Sequence, residues 1–185
     1  MRVYYDTGAF IDYLSTRGNT ILRTAGRRGR VPSAIAADAE QLFERVRRVH
    51  LGATSCLTYY EVEEALYRLL AQSAKGVSHA DSLLIPAARS ITTQVQIVVD
   101  LFNISVLDLT LGTIRLQLQQ LELQTRGVRA ADALHAATAL AFDADLIVSA
   151  DDGLLHLDQV LVNLRGARVR CCDTDGALRL VADAT

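Results

Sequence analysis

Apolar positions along this chain switch between two rhythms. Short β-rich runs occur at residues 2–6 (RVYYD), 51–56 (LGATSC), 103–110 (NISVLDLT), 146–149 (LIVS) and 167–173 (ARVRCCD), and each predicts a strand. Between them apolar residues recur every three or four positions, which predicts helices. TGAFIDYL, after the first strand, reads as a turn entering a short helix. Ser33 offers an N-cap to a helix over 34–50, with Ile35, Ala39, Leu42, Phe43, Val46 and Val49 at helical spacing. Leu57 or Thr58 opens the next helix, Leu66, Leu69 and Leu70 line one face, and Gly76 ends it. Residues 77–102 predict a helix broken near Pro86. Residues 111–127 predict a helix closing at Gly127, and RAADALHAATAL (129–140) predicts another. Residues 15–33 are rich in Gly, Arg, Ser and Thr and read as a long loop or inserted excursion.

Strands alternating with helices in this way argue for an α/β fold. The expected architecture is a three-layer α/β/α sandwich around a mostly parallel central sheet. The chain has 185 residues, half of them hydrophobic, which suits one domain over 1–185 with a full core. No internal repeat or linker divides it. The net charge of -2 announces no nucleic-acid partner in bulk, although charge can still be local. Almost all the basic residues are arginine, a side chain suited to bidentate phosphate contacts, and Lys75 is the single lysine. The densest cluster, Arg23, Arg27, Arg28 and Arg30, is open to three readings: an RNA-phosphate contact, a solvated loop, or a contact with a partner chain. Cys56, Cys171 and Cys172 imply neither a disulfide framework nor a zinc site. No apolar run is long enough to span a bilayer and the N-terminus lacks a signal-peptide core, so the chain reads as soluble and cytoplasmic.

The candidate chemistry lies in acids at strand ends. In open α/β sheets, ligands bind beyond the carboxyl ends of the strands. Asp6 follows the first strand, Asp151 follows LIVS, Glu61 sits in the helix after GATSC, and Asp132 opens the helix before LIVS. Gathered carboxylates raise one another's pKa unless a cation compensates, and oxygen ligands favour Mg²⁺ or Mn²⁺. Each acid also has a plain reading. Asp6 could start a turn, Glu61 competes with Glu63 and Glu64 on a charged face, and Asp132 could be a helix cap or dipole partner. His135, three residues beyond Asp132, is expected to be packed or hydrogen-bonded. Tyr59 and Tyr60 either stack on bases or join the core. His50, His79 and His156 belong to no constellation.

VYYDTGAFIDYL, TSCLTYYEVEEAL, RAADALHAATAL and LIVSADDGLL together resemble the motif set of PIN-domain ribonucleases, and among them the VapC-type toxins of toxin–antitoxin pairs. The resemblance covers residues 2 to about 155. It implies a PIN-like fold in which Asp6, Glu61, Asp132 and Asp151 are catalytic and bind Mg²⁺ or Mn²⁺. Thr7, Ser149 and Asp152 then stand behind them, with Asp151 preferred over Asp152 by its spacing from Ser149. It further implies endoribonuclease activity through metal-activated water, frequent homodimers and inhibition by an antitoxin. Against the small toxins the chain carries extra length at about 15–33 and 78–100, and SADDGL lacks the phenylalanine that often follows the last acid. Two rivals share the fold: a non-catalytic protein-interaction module, expected to lose one or more of the four acids, and a DNA-directed nuclease. Gly8 stands where an aspartyl-phosphate enzyme needs its second acid, and no nucleophile elbow, phosphate-binding loop or dinucleotide fingerprint occurs.

Overall fold

The computed structural model describes residues 1–15, 22 and 26–183. Its strands are β1 (Arg2–Tyr5), β2 (Leu51–Ser55), β3 (Ser105–Leu107), β4 (Leu146–Val148) and β5 (Arg170–Cys172). Its helices are α1 (Thr7–Leu14), α2 (Pro32–Val49), α3 (Leu57–Ser73), α4 (Asp81–Arg89), α5 (Ile91–Leu101), α6 (Leu111–Gln119), α7 (Leu121–Thr125), α8 (Ala130–Ala141), α9 (Asp152–Leu155) and α10 (Thr174–Asp183). The five strands form one sheet in the order β3-β2-β1-β4-β5, and every pairing is parallel. The chain starts at the sheet centre, adds β2 and β3 on one side, then crosses β1 to add β4 and β5 on the other. Beyond the carboxyl ends of β1 and β4 the connections part, and this switch point opens a crevice.

Side chains alternate across each strand, so each strand feeds two cores. Val3, Tyr5, Leu146 and Val148 pack with residues of α1, α2, α3, α5 and α10. Tyr4, Ala53, Ile147 and Cys171 face the opposite way, against residues of α7, α8 and α9. Both faces of the sheet are covered, which gives the α/β/α layering and explains the apolar strand runs. The alanines of α8 let that helix lie close to the sheet: Ala133, Ala136 and Ala139 are all buried.

Several helix boundaries differ from the sequence expectation, each for a local reason. Pro32, not Ser33, opens α2: its fixed φ suits the first helical turn, and Val31 precedes it without a side-chain cap. The 77–102 segment breaks at Ser90, four residues past Pro86, which sits inside α4. There the Ser90 hydroxyl donates to the Ala87 carbonyl at 2.6 Å and the Thr92 hydroxyl to the Arg89 carbonyl at 2.7 Å, competing with the helical ladder. The 111–127 segment breaks at Gln120 (ψ 86°), leaving Leu118 and Leu121 exposed but placing Leu123 in the core. The C-terminal α10, which no motif announced, packs with its Ala177 and Val181 in the core shared by α2. Among the described residues no helix is long and apolar enough to cross a membrane.

Candidate functional site

The end of β1 and the end of β4 are still paired where the first acid emerges. The Asp6 N–H donates to the Val148 carbonyl at 3.0 Å, and the buried Asp6 carboxylate then caps α1. Gly8 permits this close start: a Cβ there would stand 3.1 Å from the Ala150 Cβ and 3.3 Å from its nitrogen. Ser149, at the end of β4, donates its hydroxyl to Asp6 and accepts the Asp151 N–H at 3.0 Å. Asp151, rather than Asp152, caps α9, taking the Gly153 N–H at 2.7 Å. Asp132 lies in the first turn of α8 but makes no cap hydrogen bond; the helix begins after Arg129. Glu61 enters from α3, and the Thr7 hydroxyl donates to it.

The acids form two adjoining groups. Ligand atoms of Asp6, Glu61 and His135 all lie within 4.8 Å of one another. Asp132 and Asp151 line a neighbouring cleft of about 310 Å³ with Gly127, Arg129, Ala150, Asp152 and Gly153. A Cβ on Gly153 would meet an Asp151 oxygen at 2.9 Å and an Asp132 oxygen at 3.7 Å, so the bare backbone is what leaves room between these two carboxylates. Charge couples the groups. Burial, and then the negative charges of Asp151, Asp6 and Glu61, push the Asp132 carboxyl up to about 6, against the opposing effect of His135. Burial also raises Asp6, although His135 and the Ser149 hydroxyl partly offset it.

His135 is buried and hydrogen-bonded, as expected, but its partners put it inside the site. Its Nε2 lies 2.8 Å from Glu61 and 4.0 Å from Asp6, and its Nδ1 lies 2.8 Å from the Tyr4 hydroxyl. A carboxylate can only accept, so Nε2 carries the proton in that pair. Burial alone would depress the imidazole, yet the Glu61 hydrogen bond and the Asp6 charge raise it. Burial alone would raise Glu61, yet His135 and Thr7 hold it below its ordinary value. The i, i+3 spacing on one helix ties His135 to Asp132 alone and gives no signal of Tyr4, Asp6 or Glu61.

Several acid oxygens carry no protein hydrogen bond. Glu61 Oε1, Asp151 Oδ2 and both oxygens of Asp132 accept none among the described residues. Unclaimed carboxylate oxygens crowded around one crevice suit a hard divalent cation, whose ligands are oxygens. The nearby imidazole is also compatible with Mn²⁺.

The arginine cluster divides by role. Arg27 is 12% exposed and clamps two acids: its forked nitrogens meet Asp12 at 2.8 and 2.6 Å, and its Nε meets Asp173 at 2.8 Å. Arg30 is held by Asp38 and lies 3.7 Å from Asp175. Both are paired within the protein, which fits none of the three sequence readings as stated and leaves these two guanidinium groups engaged with Asp12, Asp173 and Asp38. Arg23 lies outside the described residues. Arg28 alone reaches the cleft, pairing with Asp152 at 3.0 Å. Tyr59 packs partly against the core and donates to Gln96 at 2.6 Å, whereas Tyr60 is exposed and not in the core. Sequence patterning missed Arg129, a cleft residue at the head of RAADALHAATAL to which the motif assigns no role.

No protein-family model, no curated protein and no solved structure matches the chain.

Proposed function

We propose that this protein is a metal-dependent endoribonuclease of PIN-domain type, acting as the toxin of a type II toxin–antitoxin pair. One observation carries the reading: Asp6, Glu61, Asp132 and Asp151 are delivered by four separate elements to the switch point of a parallel sheet, where their charges act on one another and, among the described residues, none of the four is paired with an arginine or a lysine. These residues would hold Mg²⁺ or Mn²⁺, which when bound activates a water and offsets charge on a phosphodiester. The chain's own groups orient the site. Ser149 fixes Asp6, Thr7 and His135 fix Glu61, Tyr4 fixes His135, and the Gly153 N–H fixes Asp151. Hydrogen-bonded support of this kind governs how well ligand carboxylates are aimed.

For an antitoxin or a second copy of the chain, the candidate surface is the mixed apolar and charged groove between α3 and α4. There Tyr60 and Ile85 are exposed around a groove of about 240 Å³ whose lining also includes Tyr67 and the charged Glu63, Glu64 and Arg89. The test of the enzymatic reading is cleavage of a mixed RNA panel with and without Mg²⁺. The expected outcome is metal-dependent cutting that falls at least about 100-fold in Asp6→Asn and in Asp132→Asn, with circular dichroism unchanged. Undiminished cutting by both folded variants would reject the site.

A further inference from the structure

A polyanion that enters this cleft meets a wall of acids. Asp132, Asp151 and Asp152 line it, Asp6 and Glu61 stand beside it, and the chain as a whole carries a net charge of -2. RNA carries a negative charge at every phosphate, and binding it requires cations placed locally. Two arginines are so placed, one on the α8 side of the cleft and one on the α9 side.

Among the described residues, Arg129 is the one basic residue that lines the cleft itself. It is exposed, precedes α8, and its side chain makes no hydrogen bond or ion pair among the described residues. Arg28 stands at the other margin, at the tip of a hydrogen-bonded turn. Arg27 and Arg30 exchange backbone hydrogen bonds at 3.1 and 3.0 Å, with Arg28 (φ 51°) and Gly29 (φ 74°) at the tip between them. The Arg27 clamp on Asp12 and Asp173 ties that turn to α1 and to the segment after β5. Arg28 itself is 47% exposed and spans Asp173 at 3.4 Å and Asp152 at 3.0 Å. Asp152 is 82% exposed. An ion pair this open is easily exchanged, and the Asp152 carboxylate occupies the place an anionic phosphate oxygen would take. The guanidinium fork has five donors and so keeps N–H groups free for a phosphate.

We infer that Arg28 and Arg129 hold the RNA phosphates on the two sides of the scissile bond, and so set where the strand crosses the acidic cleft. This rests on the RNA-hydrolase reading above. Both act as positioning residues, because neither belongs to the carboxylate group. Arg28→Gln and Arg129→Gln therefore raise KM and leave kcat within a few-fold.

The test is the salt dependence of binding. A labelled single-stranded RNA is titrated by fluorescence anisotropy with the Asp6→Asn protein, in Mg²⁺, at several KCl concentrations. Adding Arg28→Gln or Arg129→Gln should each flatten the log K against log [KCl] slope by about 0.7, and the pair by about 1.4. Arg48→Gln, the same charge change on exposed α2, should leave the slope unaltered. Slopes equal to the parent in both cleft variants, with their melting curves intact, overturn the inference. If the unsubstituted enzyme cleaves RNA while those slopes are equal, only the arginine assignment falls. If it cleaves no RNA, the enzymatic reading falls first and this inference with it.

Discussion

Asp132 holds its proton up to about pH 6 because burial and three neighbouring carboxylates disfavour its charge. A carboxyl whose folded value lies above its ordinary 3.8 favours the folded protein at low pH. That contribution is lost as pH rises through about 6. Asp132→Asn should therefore be more stable than the parent at pH 7.5 by about 1 kcal/mol, after discounting for partial exposure, and equal to it near pH 3.5. Urea unfolding of both proteins across pH 4–8 measures the difference; a gap that does not close toward acid contradicts the crowding. The His135–Glu61 pair has the opposite signature. Its contribution is full between about 4.5 and 6.5, falling in acid as Glu61 protonates below its ordinary value and in base as His135 deprotonates above its own. At this scale Asp6 and Asp132 were legible as strand-end and helix-start acids. The involvement of His135 was not, because Tyr4, Glu61 and His135 come from three elements and only packing brings them within 3 Å.

Arg27 shows how an element's charge pattern misleads without its neighbours. Four arginines in eight residues leave an RNA-phosphate contact, a solvated loop and a partner contact all open, yet Arg27 closes on Asp12, which is fully buried, and on Asp173. Removing Arg27 takes the bidentate guanidinium from the fully buried Asp12 and the nearer of two arginines from Asp173. Arg27→Ala should thus cost about 3–5 kcal/mol, against about 1 kcal/mol or less for the more exposed Arg28→Gln. Chemical denaturation of the two variants separates these cases, and similar losses would remove the distinction drawn between the arginines. Helix identity was readable from apolar period, as α2, α3 and α8 illustrate. The breaks at Ser90 and Gln120 were not, since they answer to hydroxyl–carbonyl bonds and to the burial of Leu123 rather than to periodicity.

For the molecule as a whole, the sheet order is what assembles the site. Because β4 returns beside β1, the end of the chain's first strand meets a loop more than 140 residues away, and Ser149 reaches Asp6. A cation held there binds the folded chain alone. Mg²⁺ at about 100 times its Kd should stabilise the protein by about 2.7 kcal/mol, or roughly 5–10 °C in Tm for a chain of this size. Asp6→Asn and Asp132→Asn should lose that shift, which a thermal scan with and without chelator reads; an equal shift in all three places the cation elsewhere. By itself the sequence determined what local physics determines: which stretches are strands or helices, that both sheet faces are covered, and that acids stand at strand ends. Tertiary structure alone decided which acids share a crevice, that a histidine joins them, and which arginines are left for a ligand. Those outcomes depend on residues far apart in the chain, whose distances are set by strand pairing and packing and leave no trace in local periodicity.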